Sequence, residues 1–156
     1  MGELIIMCGM PGSGKSTWLK ENVRNENAVV ISRDEIRFKM VSEDENYFSK
    51  EKEVFKEFIK QITYNLKENK IVYADATHIN EVGRNKLLSA IKIHIPLNFD
   101  ISVVVLSTSV EKSIKRNSGR EGRARVPEAA IINMANLYTD PKNDKFNYKQ
   151  ILYVYN

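Results

Sequence analysis

Gly9-Met10-Pro11-Gly12-Ser13-Gly14-Lys15-Ser16 satisfies the spacing G-x-x-x-x-G-K-[ST]. Each residue type there has a physical reason. Glycines let successive backbone N–H groups turn inward into an anion nest that bulky side chains would obstruct. A helix opening directly after the loop adds its unpaired N–H groups and its positive dipole end. Lys15 supplies a point charge suited to β- and γ-phosphates, and the Ser16 hydroxyl is a hard oxygen donor for Mg²⁺. Gly9, Pro11, Gly12, Ser13, Gly14, Lys15, Ser16 and Thr17 are therefore the candidate triphosphate cradle, with ATP or another NTP and Mg²⁺ as the expected cofactors.

Ser32-Arg33-Asp34-Glu35-Ile36-Arg37 follows an apolar run and puts Asp34 just past a strand end, where side chains face a shared cleft. Arg37 lies three residues on, so both project on one face of the helix expected to start there. Beside a phosphate loop the pair reads as a proton acceptor and an anion clamp; a plain surface ion pair is the alternative. Residues 112–125 carry Lys112, Lys115, Arg116, Arg120, Arg123 and Arg125 against Glu121 alone. Gly119 and Gly122 lie among them, and such a lid, at about 115–126, can swing its arginines over bound phosphate and exclude water. A solvated basic face is the bland reading of the same charges.

Positioning these groups requires elements with a common edge. Five short apolar runs read as strands: Leu4–Cys8, Ala28–Ser32, Ile71–Asp75, Ile101–Leu106 and Ile151–Tyr155. The middle three are rich in Val or Ile without clean alternation, as strands buried on both faces of a parallel sheet are. Helical patterns lie between them. Lys15–Val23 opens after the glycine loop, and Phe55, Phe58, Ile59, Ile62 and Leu66 share one face of a long helix ending near Asn69-Lys70. Asn80 reads as an N-cap, and Val110–Asn117 and Pro127–Leu137 complete the set, with Pro127 at a first turn. Strands alternating with helices imply right-handed βαβ units and a three-layer α/β fold around a five-stranded, mainly parallel sheet.

The 156 residues suit one domain, 1–156, and the 42% hydrophobic and 28% charged content excludes disordered and collagen-like chains. A single cysteine, Cys8, excludes an internal disulfide framework and a Cys-rich zinc site, and points to a reduced cytoplasmic setting with Cys8 an inert core thiol. No run approaches a membrane span, so no membrane partner is expected. His78 and His94 lack partners at ligand spacing and are not expected to bind metal. Tyr47-Phe48 are expected to pack under the helix at 53–66, with base stacking the alternative.

Taken together, the glycine loop with Thr17-Trp18, Arg33-Asp34 with Arg37, Asp75-Ala76-Thr77, and Lys115-Arg116-Asn117-Ser118 with Arg120 and Val126-Pro127 resemble the phage-type polynucleotide 5′-kinase domain. The match in order and approximate spacing runs from the first strand to about residue 138. The glycine loop alone is shared widely; its combination with the Arg-Asp-x-x-Arg stretch and the Arg-Asn-Ser lid is much narrower. The resemblance implies a P-loop kinase fold and an activity on the 5′-hydroxyl ends of DNA or RNA. It implies that Asp34 is the general base, that Arg37 holds the acceptor's phosphate, and that Arg120, with Arg116, stabilises the transferring group. Asp75 looks like that family's strand-end carboxylate near the metal, reached through water, and Thr77 follows it on the acceptor side.

One departure bears on function. Nothing in the chain matches the D-x-D-x-T motif of the phosphatase domain that accompanies the well-known phage kinase, so no phosphatase domain and no 3′-phosphate healing are expected. Two rival readings stand beside the polynucleotide one: a kinase of a small hydroxylated metabolite, nucleoside or antibiotic, and a nucleotide-dependent switch without an acceptor. Oligomeric state, including a homo-oligomer, is open at this level.

Overall fold

In the computed structural model, which describes residues 2–156, the strands are β1 (Glu3–Cys8), β2 (Ala28–Ser32), β3 (Ile71–Asp75), β4 (Ile101–Ser107) and β5 (Ile151–Tyr155). The helices are α1 (Lys15–Asn22), α2 (Arg33–Met40), α3 (Glu51–Lys67), α4 (Glu81–His94), α5 (Val110–Ser118) and α6 (Glu128–Leu137). Short 3₁₀ turns lie at Gly122–Ala124 and Pro141–Asn143. The strand order is β2-β3-β1-β4-β5 and every pairing is parallel. The expected "mainly parallel" sheet is thus wholly parallel among the described residues. Such a sheet is stable only with both faces covered.

The pleat explains the two-sided core. Along β1, Leu4, Ile6 and Cys8 point to one face and meet α3 and α4 through Val54, Phe58, Ile62, Leu66, Leu87 and Ile91. Met7 points to the other face and packs with Leu19 of α1 and Val104 and Leu106 of β4. A period-two run buried on both sides needs no polar residues, hence the missing alternation. The long helix ends at Lys67 rather than at 69–70, because Asn69 adopts a left-handed backbone with φ 60°. Pro127 stands at the N-cap of α6 instead of inside its first turn.

Parallel strands bring all their carboxyl ends to one edge. Ser32 pairs with Asp75 across β2 and β3, and Ile6 pairs with Ala74 across β1 and β3. The loop after β1, the start of α2 and the end of β3 therefore open side by side. No helix among the described residues is long and apolar enough to cross a membrane.

Candidate active site

The loop after β1 is built on two left-handed glycines, Gly12 at φ 79° and Gly14 at φ 94°. Gly14 is also the N-cap of α1, which leaves the first N–H groups of that helix facing the loop. Gly12 has a second constraint: a Cβ there would lie 2.4 Å from the Ser113 carbonyl oxygen of α5. Ser13 N–H donates to Met10 O at 3.0 Å, and Gly9 N–H donates to Thr77 O at 2.9 Å, fastening the loop to the chain after β3. Thr77 thus reaches the site through its carbonyl. Pro11 and Ser13 are buried, whereas Ser16 and Thr17 are exposed on the first turn of α1.

Lys15 curls back over this loop. Its Nζ donates to Gly9 O at 2.8 Å and Met10 O at 3.0 Å. Burial pushes the ammonium below its ordinary pKa; the Asp75 and Asp34 carboxylates oppose that shift, and the Arg120 guanidinium adds to it. Four residues singled out from sequence therefore share one electrostatic environment. Burial raises the Asp75 carboxyl against the pull of Lys15, with Asp34 and Glu35 adding to the rise.

Asp34 projects from the first turn of α2, which Ser32 caps by accepting from Glu35 N–H. Its carboxylate is largely exposed and accepts from Arg37 NH1 at 2.5 Å. Arg37, by contrast, is buried and doubly forked. Its Nε donates to Glu51 Oε1 at 2.5 Å and its NH2 to Glu51 Oε2 at 3.0 Å. Burial disfavours this charge, but Glu51, Tyr47 and Asp34 outweigh it and hold the Arg37 pKa above the ordinary arginine value. Glu51 in turn is held below the usual carboxylate range: burial works upward, and Arg37 and Arg33 overcome it. The guanidinium of Arg37 also lies 5.1 Å from the Tyr47 ring centroid and 5.3 Å from that of Phe48. Phe48 is not packed under α3 as expected but remains 58% exposed, while half-buried Tyr47 meets Phe38 of α2 at 5.5 Å between ring centroids.

The lid joins α5 to α6. Its two ends are clasped by buried Asn117, whose Nδ2 donates to Val126 O at 2.5 Å while its Oδ1 accepts from Val126 N–H at 2.8 Å. Arg116 reaches the phosphate loop: its NH1 donates to Asn156 Oδ1 at 2.9 Å and lies 3.4 Å from Gly12 O. The Asn156 amide also donates to Ser13 O at 3.2 Å, so the residue after β5 braces the loop from the far side. Arg120 is half-buried, and its N–H donates to Asn117 O at 3.0 Å. Arg123, one of the basic residues of the lid, donates from NH1 to Val41 O at 2.6 Å and lies 5.0 Å from the Phe38 ring.

Beneath the site, His78 Nδ1 donates to Met7 O at 2.9 Å from a left-handed backbone with φ 41°. Burial lowers its pKa to about 4, so the ring is neutral at physiological pH. Arg84 is fully buried; it donates to His78 O at 2.9 Å and pairs with Asp144 through Nε at 2.7 Å. Cys8 lies in this layer too, its thiol pushed up to about 11 by burial against the pull of Arg84 and Lys15.

The donor set suits Mg²⁺. Ser16 and Asp75 offer hard oxygens beside the loop, and Mg²⁺ is commonly held by one or two such side chains plus the substrate's phosphates. The exposed first turn of α1 leaves Ser16 accessible, and the lowered ammonium of Lys15 is an environment in which added anionic oxygens are favourable.

A family model described as an AAA domain, AAA_33, matches residues 4–141. Among solved structures, the chain resembles one in the Pnkp1/Rnl/Hen1 RNA repair complex at 25% identity and TM-score 0.73. That match covers 95% of this chain and 47% of the other, so the chain spans about half the length of that relative. A putative kinase from Chloroflexus aurantiacus matches at 15% identity and TM-score 0.74, over 99% of this chain and 85% of that one. A sugar kinase from Janibacter sp. HTCC2649 matches at 12% identity and TM-score 0.62, over 99% and 86%.

Proposed function

The chain belongs to the AAA_33 family of AAA domains and has a P-loop kinase fold, and from that premise we propose that it is an ATP-dependent polynucleotide kinase acting on the 5′-hydroxyl of DNA or RNA. One observation carries the reading: Asp34 stands at the carboxyl edge of the sheet within the electrostatic reach of Lys15, with Asp75 and Arg120 around the same ammonium. A nucleotide switch has no use for a solvent-facing carboxylate held by Arg37 at that point; a phosphotransferase needs one beside the attacking hydroxyl. The likeness to a chain of an RNA repair complex supports nucleic acid as the acceptor.

In this reading the loop N–H groups, the N-terminus of α1 and Lys15 hold the triphosphate. Ser16, with Asp75, would hold Mg²⁺, which when bound neutralises charge on the transferred group. Asp34 takes the proton from the attacking hydroxyl, and Arg120 offsets charge on the equatorial oxygens. Arg116 steadies the donor side of the loop, while Arg37 orients Asp34 and offers its remaining donors to the acceptor's phosphate. Positioning and electrostatics supply most of the rate.

A second reading, a kinase of a small hydroxylated metabolite, is favoured by the commitment of Arg37 to Glu51 and Asp34. The two separate on an acceptor panel with γ-labelled ATP. The polynucleotide reading expects phosphorylation of a 5′-hydroxyl oligonucleotide and of a nucleoside 3′-monophosphate, and very poor use of free nucleosides. Equal use of free nucleosides or sugars would overturn it.

A further inference from the structure

Phe48 is the anomaly at this edge of the molecule. A phenylalanine that could bury its ring instead leaves it 58% exposed on the segment between α2 and α3. It is also not isolated. Tyr47 meets it edge-to-face at 5.1 Å, and Phe38 of α2 meets Tyr47 at 5.5 Å. Two guanidiniums reach this cluster from different elements. Arg37 lies near Tyr47 and Phe48, and Arg123 of the lid lies 5.0 Å from Phe38 and 5.7 Å from Tyr47.

Location decides what such a cluster serves. Arg37 touches both rings and also donates to Asp34, so the aromatic surface and the proposed base share one side chain. The sheet order puts α2 at the β2 edge, whereas Arg116 and Asn156 brace the phosphate loop from the β4–β5 side. The cluster is therefore on the acceptor side of the loop, away from those donor-side braces. Its chemistry is an exposed aromatic face backed by cations, which fits a flat π-faced group carrying negative charge nearby. A nucleobase joined to a phosphodiester has that character, and base–aromatic stacking tolerates any base.

Resting on the polynucleotide reading, we propose that Phe48, supported by Tyr47 and Arg37, is the stacking platform for the base of the acceptor's 5′-terminal nucleotide, and that Arg123 ties the lid to that platform. The bond from Arg123 to Val41 O then couples the segment bearing Arg120 to an occupied acceptor site. Phe48 is a specificity residue in this scheme; it holds the base and touches no reacting atom.

The test compares two oligonucleotides, one with a normal 5′-terminal nucleotide and one with an abasic 5′-terminal sugar, in the wild type and in Phe48→Ala and Phe48→Trp. Stacking predicts that Phe48→Ala raises KM for the base-bearing acceptor by about 5- to 150-fold, with kcat and the KM for ATP nearly unchanged. Phe48→Trp should restore it. The abasic acceptor should bind the wild type about as poorly, and Phe48→Ala should add little further loss, since the two changes remove one interaction. Quenching of a 5′-terminal 2-aminopurine on binding should be lost in the alanine variant. If the wild type phosphorylates both oligonucleotides with equal KM, or if Phe48→Ala impairs both equally, the platform is wrong while the polynucleotide reading stands. If no oligonucleotide is phosphorylated and a small sugar is, both fall together.

Discussion

Asp34→Asn separates proton transfer from every other duty of that side chain. The amide oxygen can still accept from Arg37 NH1, where the carboxylate sits at 2.5 Å. Arg37 itself stays pinned by its two bonds to Glu51, so the start of α2 should not move. The Asp34 side chain is 72% exposed, and an ion pair so wet is worth at most about 1 kcal/mol. Loss of a general base costs about 10²–10⁴ in rate, or about 3–5 kcal/mol of barrier. The catalytic loss thus exceeds any structural one several-fold. Lys15 loses one of two opposing carboxylates but keeps Asp75, so ATP affinity should change by less than about threefold. Single-turnover transfer from γ-labelled ATP measures the first quantity, and titration with a fluorescent ATP analogue the second. Glu51→Gln is the companion: it loosens the Arg37 fork and should raise acceptor KM while leaving kcat largely intact. A rate loss under tenfold in Asp34→Asn, or a parallel collapse of nucleotide binding, would refute the base assignment and leave Asp34 as a structural partner of Arg37.

Two further outcomes follow from the framework around the site. Gly12→Ala forces an L-residue to φ 79° and drives a Cβ to 2.4 Å from Ser113 O, so α5 must shift or the loop must open; about 2 kcal/mol or more of stability should be lost, with weakened ATP binding, as read by urea unfolding and nucleotide titration. His78 is held neutral in the fold, its pKa lowered from 6.5 to about 4, so the unfolded chain takes up a proton that the folded chain refuses. Stability should therefore fall as pH drops from about 6.5 toward 4, by about 3 kcal/mol in all, and urea midpoints of His78→Asn should be flatter than those of the wild type between pH 6.5 and 5.

What was legible in the residues was what depends on local spacing. The glycine loop is contiguous, and it is flanked by a short apolar run, Leu4–Cys8, and by a helical pattern that opens directly after it at Lys15. Asp34 and Asp75 are legible because Asp34 lies just past one β-rich run and Asp75 ends another, and in a parallel sheet the run ends share one edge. Glu51 was not visible. It opens α3 fourteen residues from Arg37, and nothing in a first-turn glutamate announces that it will fork a buried guanidinium. Arg123 meets Val41 across 82 residues, and Asn156 meets Ser13 across 143. Contacts of that span are made by how layers pack, and packing has no period to read.

The same distinction explains why the sequence announces a phosphate-covering basic lid but not the contacts that fasten it. Its composition announced a basic hinge, but the hinge gains meaning from three attachments. Asn117 and Val126 close its base, Arg116 rests against the phosphate loop, and Arg123 reaches the carbonyl that ends α2. The stretch from Arg116 to Arg123 thus touches both sides of the cleft at once. Between its two anchors lies Arg120, already within the field of Lys15. A charge held in that position is stabilised most when both phosphate donor and acceptor are present, because each anchor then has a ligand beside it. In the proposed polynucleotide reading, coupling of that kind would favour transfer over hydrolysis without any added group, since water alone would engage neither the aromatic side nor its arginine.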